Sequence, residues 1–121
     1  PIVLIGTKDA LIATNTDYQI SSRFKPEILE RWTFNEDYLN FIKILEISLR
    51  SSEKPDIYKN INLAKKILSL SEGLLGEIVA LVKELVRESI LQNKKVIDEF
   101  LLNNLKWIEP SQRRNLAALN L

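Results

Sequence analysis

Apolar positions along the chain fall into two regimes. Pro1-Ile2-Val3-Leu4-Ile5 is an unbroken apolar run that stops at Gly6-Thr7, and it predicts a short strand buried on both faces, as inside a parallel sheet. No other stretch reads as its partner strand. Its sheet is therefore expected from a missing segment, a partner or a second copy, leaving residues 1–7 disordered, swapped between copies or paired edge to edge in a dimer. Lys8–Ala13 predicts a short helix with Thr7 as its cap. Asn15-Thr16-Asp17 reads as a turn and Tyr18–Phe24 as a connector. Lys25-Pro26 ends any helix there, because the residue before proline is pushed out of the α region. Glu27–Trp32 reads as one more extended segment, and a boundary falls between Phe24 and Thr33.

From Thr33 the period changes to that of helices. Thr33-Phe34-Asn35-Glu36 fits a capping box, with Leu39, Ile42, Leu45 and Leu49 following at helical spacing. Residues 51–56 (Ser-Ser-Glu-Lys-Pro-Asp) break that helix. A second is predicted over Asn60–Leu70, with Ile61, Ala64, Ile67 and Leu68 inward. Ser71 is read as the cap of a third, longer helix whose apolar stripe is Leu75, Ile78, Val79, Val82, Leu85 and Val86. Glu77, Lys83, Glu84, Arg87 and Glu88 fall on its wet face. After Asn93-Lys94-Lys95, a fourth helix is predicted over Val96–Ile108 through Ile97, Phe100, Leu101 and Leu105. Pro110-Ser111 begins a short tail.

Composition narrows the chemistry. The 121 residues suggest one domain, and 45% apolar with 27% charged residues is ordinary globular composition. With 3 Gly and 4 Pro against 20 Leu and 15 Ile, the chain favours helices and lacks the turns of a sandwich or barrel. There is no Cys and no His, which removes disulfides, thiolate metal sites, cysteine nucleophiles and the commonest neutral-pH acid/base. A net charge of +1 is too balanced to advertise nucleic acid by bulk charge. No apolar run nears the ~20 residues of a membrane span and no basic n-region precedes the first, so a cytoplasmic protein without membrane contact is expected. There is no Met, and a chain that begins inside an apolar strand reads as a piece of a longer one.

Four places carry candidate chemistry, each with a plainer alternative. Gly6-Thr7 ends a strand where α/β sheets place ligands, so the Thr7 hydroxyl could orient a water or touch a phosphate; alternatively it caps a helix. In Ser22-Arg23-Phe24, Arg23 could reach across a subunit interface toward a neighbour's phosphates, or sit on the surface paired with Asp17 or Glu27. Ser71-Glu72-Gly73-Leu74-Leu75-Gly76-Glu77 places two glycines at the start of a helix, either to admit a nucleotide or to let helices pack closely. The pattern G-x-x-x-x-G-K-[ST] of a phosphate loop occurs nowhere. Lys94, Lys95, Lys106, Arg113 and Arg114 could contact phosphates of DNA or a partner, or belong to a solvated mixed-charge surface with Asp98, Glu99 and Glu109. Trp32 and Trp107 read as packing residues.

Taken in order, Pro1–Thr7, Asn15-Thr16-Asp17, Ser21-Ser22-Arg23-Phe24, Ser71–Ile78 and Trp107-Ile108-Glu109-Pro110-Ser111-Gln112-Arg113-Arg114 resemble the C-terminal half of a TniB/TnsC-type AAA+ transposition ATPase. The resemblance implies a mainly α chain: the remnant of an α/β AAA+ core (one strand and a short helix, residues 1–24), a linker (25–33), a four-helix lid (34–109) and a tail (110–121). It implies Thr7 at the sensor-1 position, Arg23 as the arginine finger acting in trans, and Ser71, Gly73 and Gly76 on a sensor-2 helix over the nucleotide. Gly76 stands where many AAA+ members carry an arginine, which leaves that helix the base and ribose to close over. No metal ligand is implied within these residues.

Such proteins take ATP and Mg, assemble as rings or filaments on duplex DNA, and recruit a transposase and a targeting protein. The Walker A lysine and Walker B carboxylates that would hold Mg-ATP are absent from these residues, so this chain alone is expected to bind no nucleotide and to hydrolyse none. Two rival readings remain: a non-enzymatic helical module that binds a protein partner, and a small helical DNA-binding domain. The second lacks a helix face of clustered Arg, Lys, Asn and Gln.

Overall fold

Four short polar side chains start four of the helices. The carboxylate of Asp17 accepts the N–H of Gln19 at 2.8 Å, the Asn35 amide oxygen that of Tyr38 at 2.9 Å, Asn60 that of Leu63 at 3.1 Å and Asp98 that of Leu101 at 2.9 Å. The computed structural model describes residues 1–50 and 54–120 and divides into two units, Pro1–Glu30 and Arg31–Leu121. Among the described residues it is mainly helical, with seven α-helices and no strand.

The first unit holds α1 (Lys8–Asn15) and α2 (Tyr18–Arg23). Of Tyr18–Phe24, expected as a connector, Tyr18–Arg23 is helical because Asp17 caps it. The strand expected over residues 1–5 is not formed: these residues belong to no regular element, and Ile5 is 95% exposed. Backbone groups of a strand need a paired ladder, and the described residues offer none.

The second unit holds α3 (Glu36–Arg50), a 3-10 turn (Ile57–Lys59), α4 (Ile61–Leu70), α5 (Leu75–Leu91), α6 (Glu99–Asn104) and α7 (Pro110–Leu119). Its core runs from Tyr38 and Ile42 through Leu63, Ala64 and Ile67 to Leu81, Val82 and Leu85, closed by Ile97 and Leu101. The stripe on α5 lies where the period puts it, except that Leu75 is exposed, Val79 is only half-buried and Leu81 is buried. In α4 Ala64 and Ile67 are buried as expected and Leu68 is half-buried, but Leu63 is buried in place of Ile61, which is exposed at the first turn. The fourth helix is shorter than Val96–Ile108: Asp98 caps its start, and Lys106, at φ +51°, stops it. The expected tail is α7, opened by Pro110 at its first position. Among the described residues no helix is long and apolar enough to cross a membrane.

The buried line of α3 is rotated from the expected one. Leu39, Leu45 and Leu49 are half-buried, while Tyr38, Ile42, Glu46 and Arg50, spaced four apart, are buried. The cap is Asn35 and not Thr33. Tyr38 stays inside because its hydroxyl donates to the Ala64 carbonyl at 2.7 Å, and burial pushes its phenol pKa well up. Trp32 stacks on Phe41 with ring centroids 5.0 Å apart. The fully buried Glu46 carboxylate accepts the N–H of Asp56 at 3.0 Å, the N–H of Ile57 at 2.9 Å and Arg50 Nη1 at 2.9 Å. Arg50 Nη2 donates to the Lys95 carbonyl at 2.7 Å, so one charge pair ties α3 to the 3-10 turn and to the α5–α6 connection. The helix break expected over residues 51–56 lies partly outside the described residues, which resume at Lys54.

Removing the Glu46 carboxylate leaves the Asp56 and Ile57 amides without their acceptor and takes a charge partner from the buried Arg50. Glu46→Ala is expected to cost roughly 3–5 kcal/mol, read as a shift of the urea midpoint. A midpoint within error of the parent would contradict this role.

Candidate functional site

In the first unit the candidates are Thr7 and Arg23. Thr7 has extended backbone at the start of α1, its carbonyl accepts the Leu11 N–H at 3.2 Å, and its hydroxyl makes no capping bond. The preceding Gly6 is required by contact: a Cβ there would lie 2.5 Å from the Ala10 Cβ. Arg23 is the last residue of α2 and is exposed. The surface pairs open to it in sequence are not made. Asp17 is engaged with the first amides of α2, and Glu27 pairs with Lys25 at 3.0 Å. The hydroxyls of Ser21 and Ser22 turn back onto the Tyr18 and Gln19 carbonyls. Among the described residues, then, the first unit presents a hydroxyl and a guanidinium that nothing else uses.

In the second unit the α4–α5 turn is built by its backbone. Gly73 N–H donates to the Leu68 carbonyl at 3.1 Å and Glu72 N–H to that of Ser69 at 3.0 Å, the paired bonds that close a helix with a left-handed residue after its end. Glu72 takes φ +53° and Gly73 φ +70°. Ser71 does not cap α5 as expected: it is buried, and its hydroxyl donates back to the Leu68 carbonyl at 3.0 Å. The chain needs residues 71–73 to reverse, so α5 starts only at Leu75. Gly73 is buried, its carbonyl accepts the Trp32 N–H at 2.8 Å, and a Cβ on it would lie 2.5 Å from the Trp32 carbonyl oxygen. Gly76, in the first turn of α5, is exposed with nothing within 4 Å of a Cβ. The two glycines therefore differ: one admits the Arg31-Trp32 backbone, the other faces open space.

Glu72 is the residue that sequence reasoning passed over. Its carbonyl accepts Arg31 Nη1 at 3.3 Å, and its carboxylate accepts the Ser111 N–H at 3.0 Å, capping α7 from another element. Arg31 and Arg114 lie 3.8 and 4.0 Å from that carboxylate. Ser111, through its hydroxyl and then its backbone N–H, holds the Glu72 carboxyl below the usual range; Arg114 and Arg31 add to this, against partial desolvation. The only local signal was an acidic residue beside a glycine between two periodic segments.

The basic candidates divide by element. Lys94 lies over the Phe100 ring at 4.8 Å and Lys95 is exposed, both in the α5–α6 connection. Lys106 is exposed at the end of α6. Arg113 pairs with Glu77, donates Nε–H to the Ile108 carbonyl at 3.0 Å, and lies over the Trp107 ring at 5.7 Å. With Leu74, Pro110, Arg114 and Ala117 it lines an open depression beside the start of α5. Among the described residues no group of three acidic side chains is placed to hold a metal ion.

Residues 1–34, the stretch that carries Thr7 and Arg23, match the family model for the bacterial TniB protein, the likeness the resemblance named. The residues after Phe34 lie outside that match. No curated protein and no solved structure matches the chain.

The two glycines separate in stability measurements. Gly73→Ala meets both a left-handed backbone and the Trp32 carbonyl and is expected to destabilise by more than ~1 kcal/mol, whereas Gly76→Ala is expected to stabilise by up to ~1 kcal/mol. Equal effects in thermal melts would contradict the assignment. Because folding lowers the Glu72 pKa, its contribution is complete above about pH 5 and is lost as pH falls through the usual carboxylate range to the lowered folded value. Glu72→Gln is expected to flatten the acid limb of the stability profile; an unchanged limb would contradict the turn's electrostatics.

Proposed function

We propose that this chain is the C-terminal part of an ATP-dependent transposition regulator, with residues 1–24 completing an AAA+ core and the helices within residues 34–109 forming its lid. The observation that carries this reading is Arg23: an exposed guanidinium at the end of α2, inside the TniB-matching stretch, with both nearby carboxylates committed elsewhere. An arginine so presented suits a finger that stabilises phosphate charge in a neighbouring subunit. Thr7, with its hydroxyl unused by α1, would orient water or phosphate in its own subunit. The start of α5 would face the base and ribose along its open Gly76 side, with Ser71 and Gly73 acting through the shape of the turn.

These residues fit the edges of a nucleotide site and not its seat. They offer one hydroxyl and one guanidinium to phosphate oxygens, while the sequence holds neither a phosphate-loop lysine nor a strand ending in paired carboxylates for Mg. In the complete protein Mg-ATP would supply the hydrolysable phosphate that lets the assembly dismantle. The partners on this reading are further copies of the protein, duplex DNA, a transposase and a targeting protein. A second reading, a helical module that binds a protein partner, is favoured by the core of the second unit, which its own helices complete.

Arg23→Ala in the full-length protein separates them. Hydrolysis is expected to fall about 10³-fold or more while nucleotide binding persists. Hydrolysis at the parental rate would leave the interaction module as the better account.

A further inference from the structure

α7 is a helix that almost nothing buries. Only Pro110 is buried and Ser111 half-buried; every residue from Gln112 to Asn120 is exposed, with Leu119 82% exposed. A ten-residue helix is marginal in water by itself, so something other than apolar packing must hold this one. Its attachments are polar. The Glu72 carboxylate caps the Ser111 N–H, Arg113 pairs with Glu77 and lies over Trp107, and Arg114 stands 4.0 Å from Glu72. Glu109, at the cap position, gives no side-chain cap of its own. The helix carries two arginines and no acidic residue, so both of its charges are balanced by carboxylates of the α4–α5 turn and the first turn of α5.

We propose that α7 is a charge-held strap. Docked, it spends Arg113 and Arg114 on Glu77 and Glu72; released, it presents both to the phosphate backbone of duplex DNA. Guanidinium forks suit phosphate as well as carboxylate, so a polyanion competes directly with the two glutamates. Gln112 and Asn115 flank the arginines and add neutral donors without opposing charge. The strap stands independently of ATP hydrolysis; its DNA partner rests on the DNA-binding part of the proposed function.

The test is amide hydrogen exchange on the whole chain at about 0.05 and 1 M NaCl, a range over which the screening length falls from above ~10 Å to ~3 Å. Protection in α7, Ser111 included, is expected to fall roughly tenfold with salt while Leu81–Val86 keep theirs, and Glu77→Gln should produce the same loss at low salt. Protection of α7 unmoved by salt and by Glu77→Gln, or lost only together with Leu81–Val86, would overturn the strap. In the second arm a short duplex DNA is added at low salt. DNA is expected to deprotect α7, to bind Glu77→Gln several-fold more tightly than the parent, and to lose that gain in the Arg113→Gln/Arg114→Gln background. Equal binding to parent and Glu77→Gln, or none to either, would overturn the DNA partner. Because hydrolysis in Arg23→Ala is measured separately, failure here and failure of the ATPase reading are distinguishable.

Discussion

To pass from α4 into α5 the chain goes through the left-handed region at two residues, Glu72 and Gly73, and much of the second unit hangs on how that reversal is held. A side-chain-bearing residue in the left-handed region costs roughly 1–2 kcal/mol. Glu72 offsets this with two hydrogen bonds, from Arg31 to its carbonyl and from Ser111 to its carboxylate. The strained position is therefore stable because it is an anchor. Gly73 completes it by letting the Trp32 backbone approach to hydrogen-bond distance, which brings Trp32 to its stack on Phe41.

Glu46 repeats this logic inside the core. A charged residue on the buried line of α3 would be costly without partners, yet its carboxylate meets two backbone amides of the 3-10 turn and the Arg50 guanidinium. In both places a glutamate takes the role a short capping side chain has elsewhere, but from a different element. Such caps join elements, whereas Asp17, Asn35 and Asp98 begin their own.

This difference explains what could be read from the sequence. The α5 stripe of Ile78, Val82, Leu85 and Val86 was legible because apolar periodicity and burial coincide there. The buried line of α3 was not, since Glu46 and Arg50 look like wet-face residues until their partners ten and forty-five positions away are known. α2 and α7 were passed over although Asp17 and Pro110 are ordinary start signals, because neither helix carries an apolar stripe worth burying. The strand at residues 1–5 rests on an apolar run, and such a run supplies no ladder. Of the candidate site, Arg23 and Thr7 kept the exposure a ligand role needs. Gly73 and Ser71 turned out to serve the turn, while Glu72, between them, went unread because its partners are distant in sequence.

The TniB match ends at Phe34, whereas the junction at residues 71–73 organises the second unit. That junction is the central physical claim. Its most direct test is the NMR scalar coupling across a hydrogen bond from the Trp32 amide nitrogen to the Gly73 carbonyl carbon. The account predicts a resolved coupling, with the Trp32 amide protected although it lies in no helix. A resolved Trp32 amide that shows no coupling to Gly73 and exchanges as a free loop would contradict it.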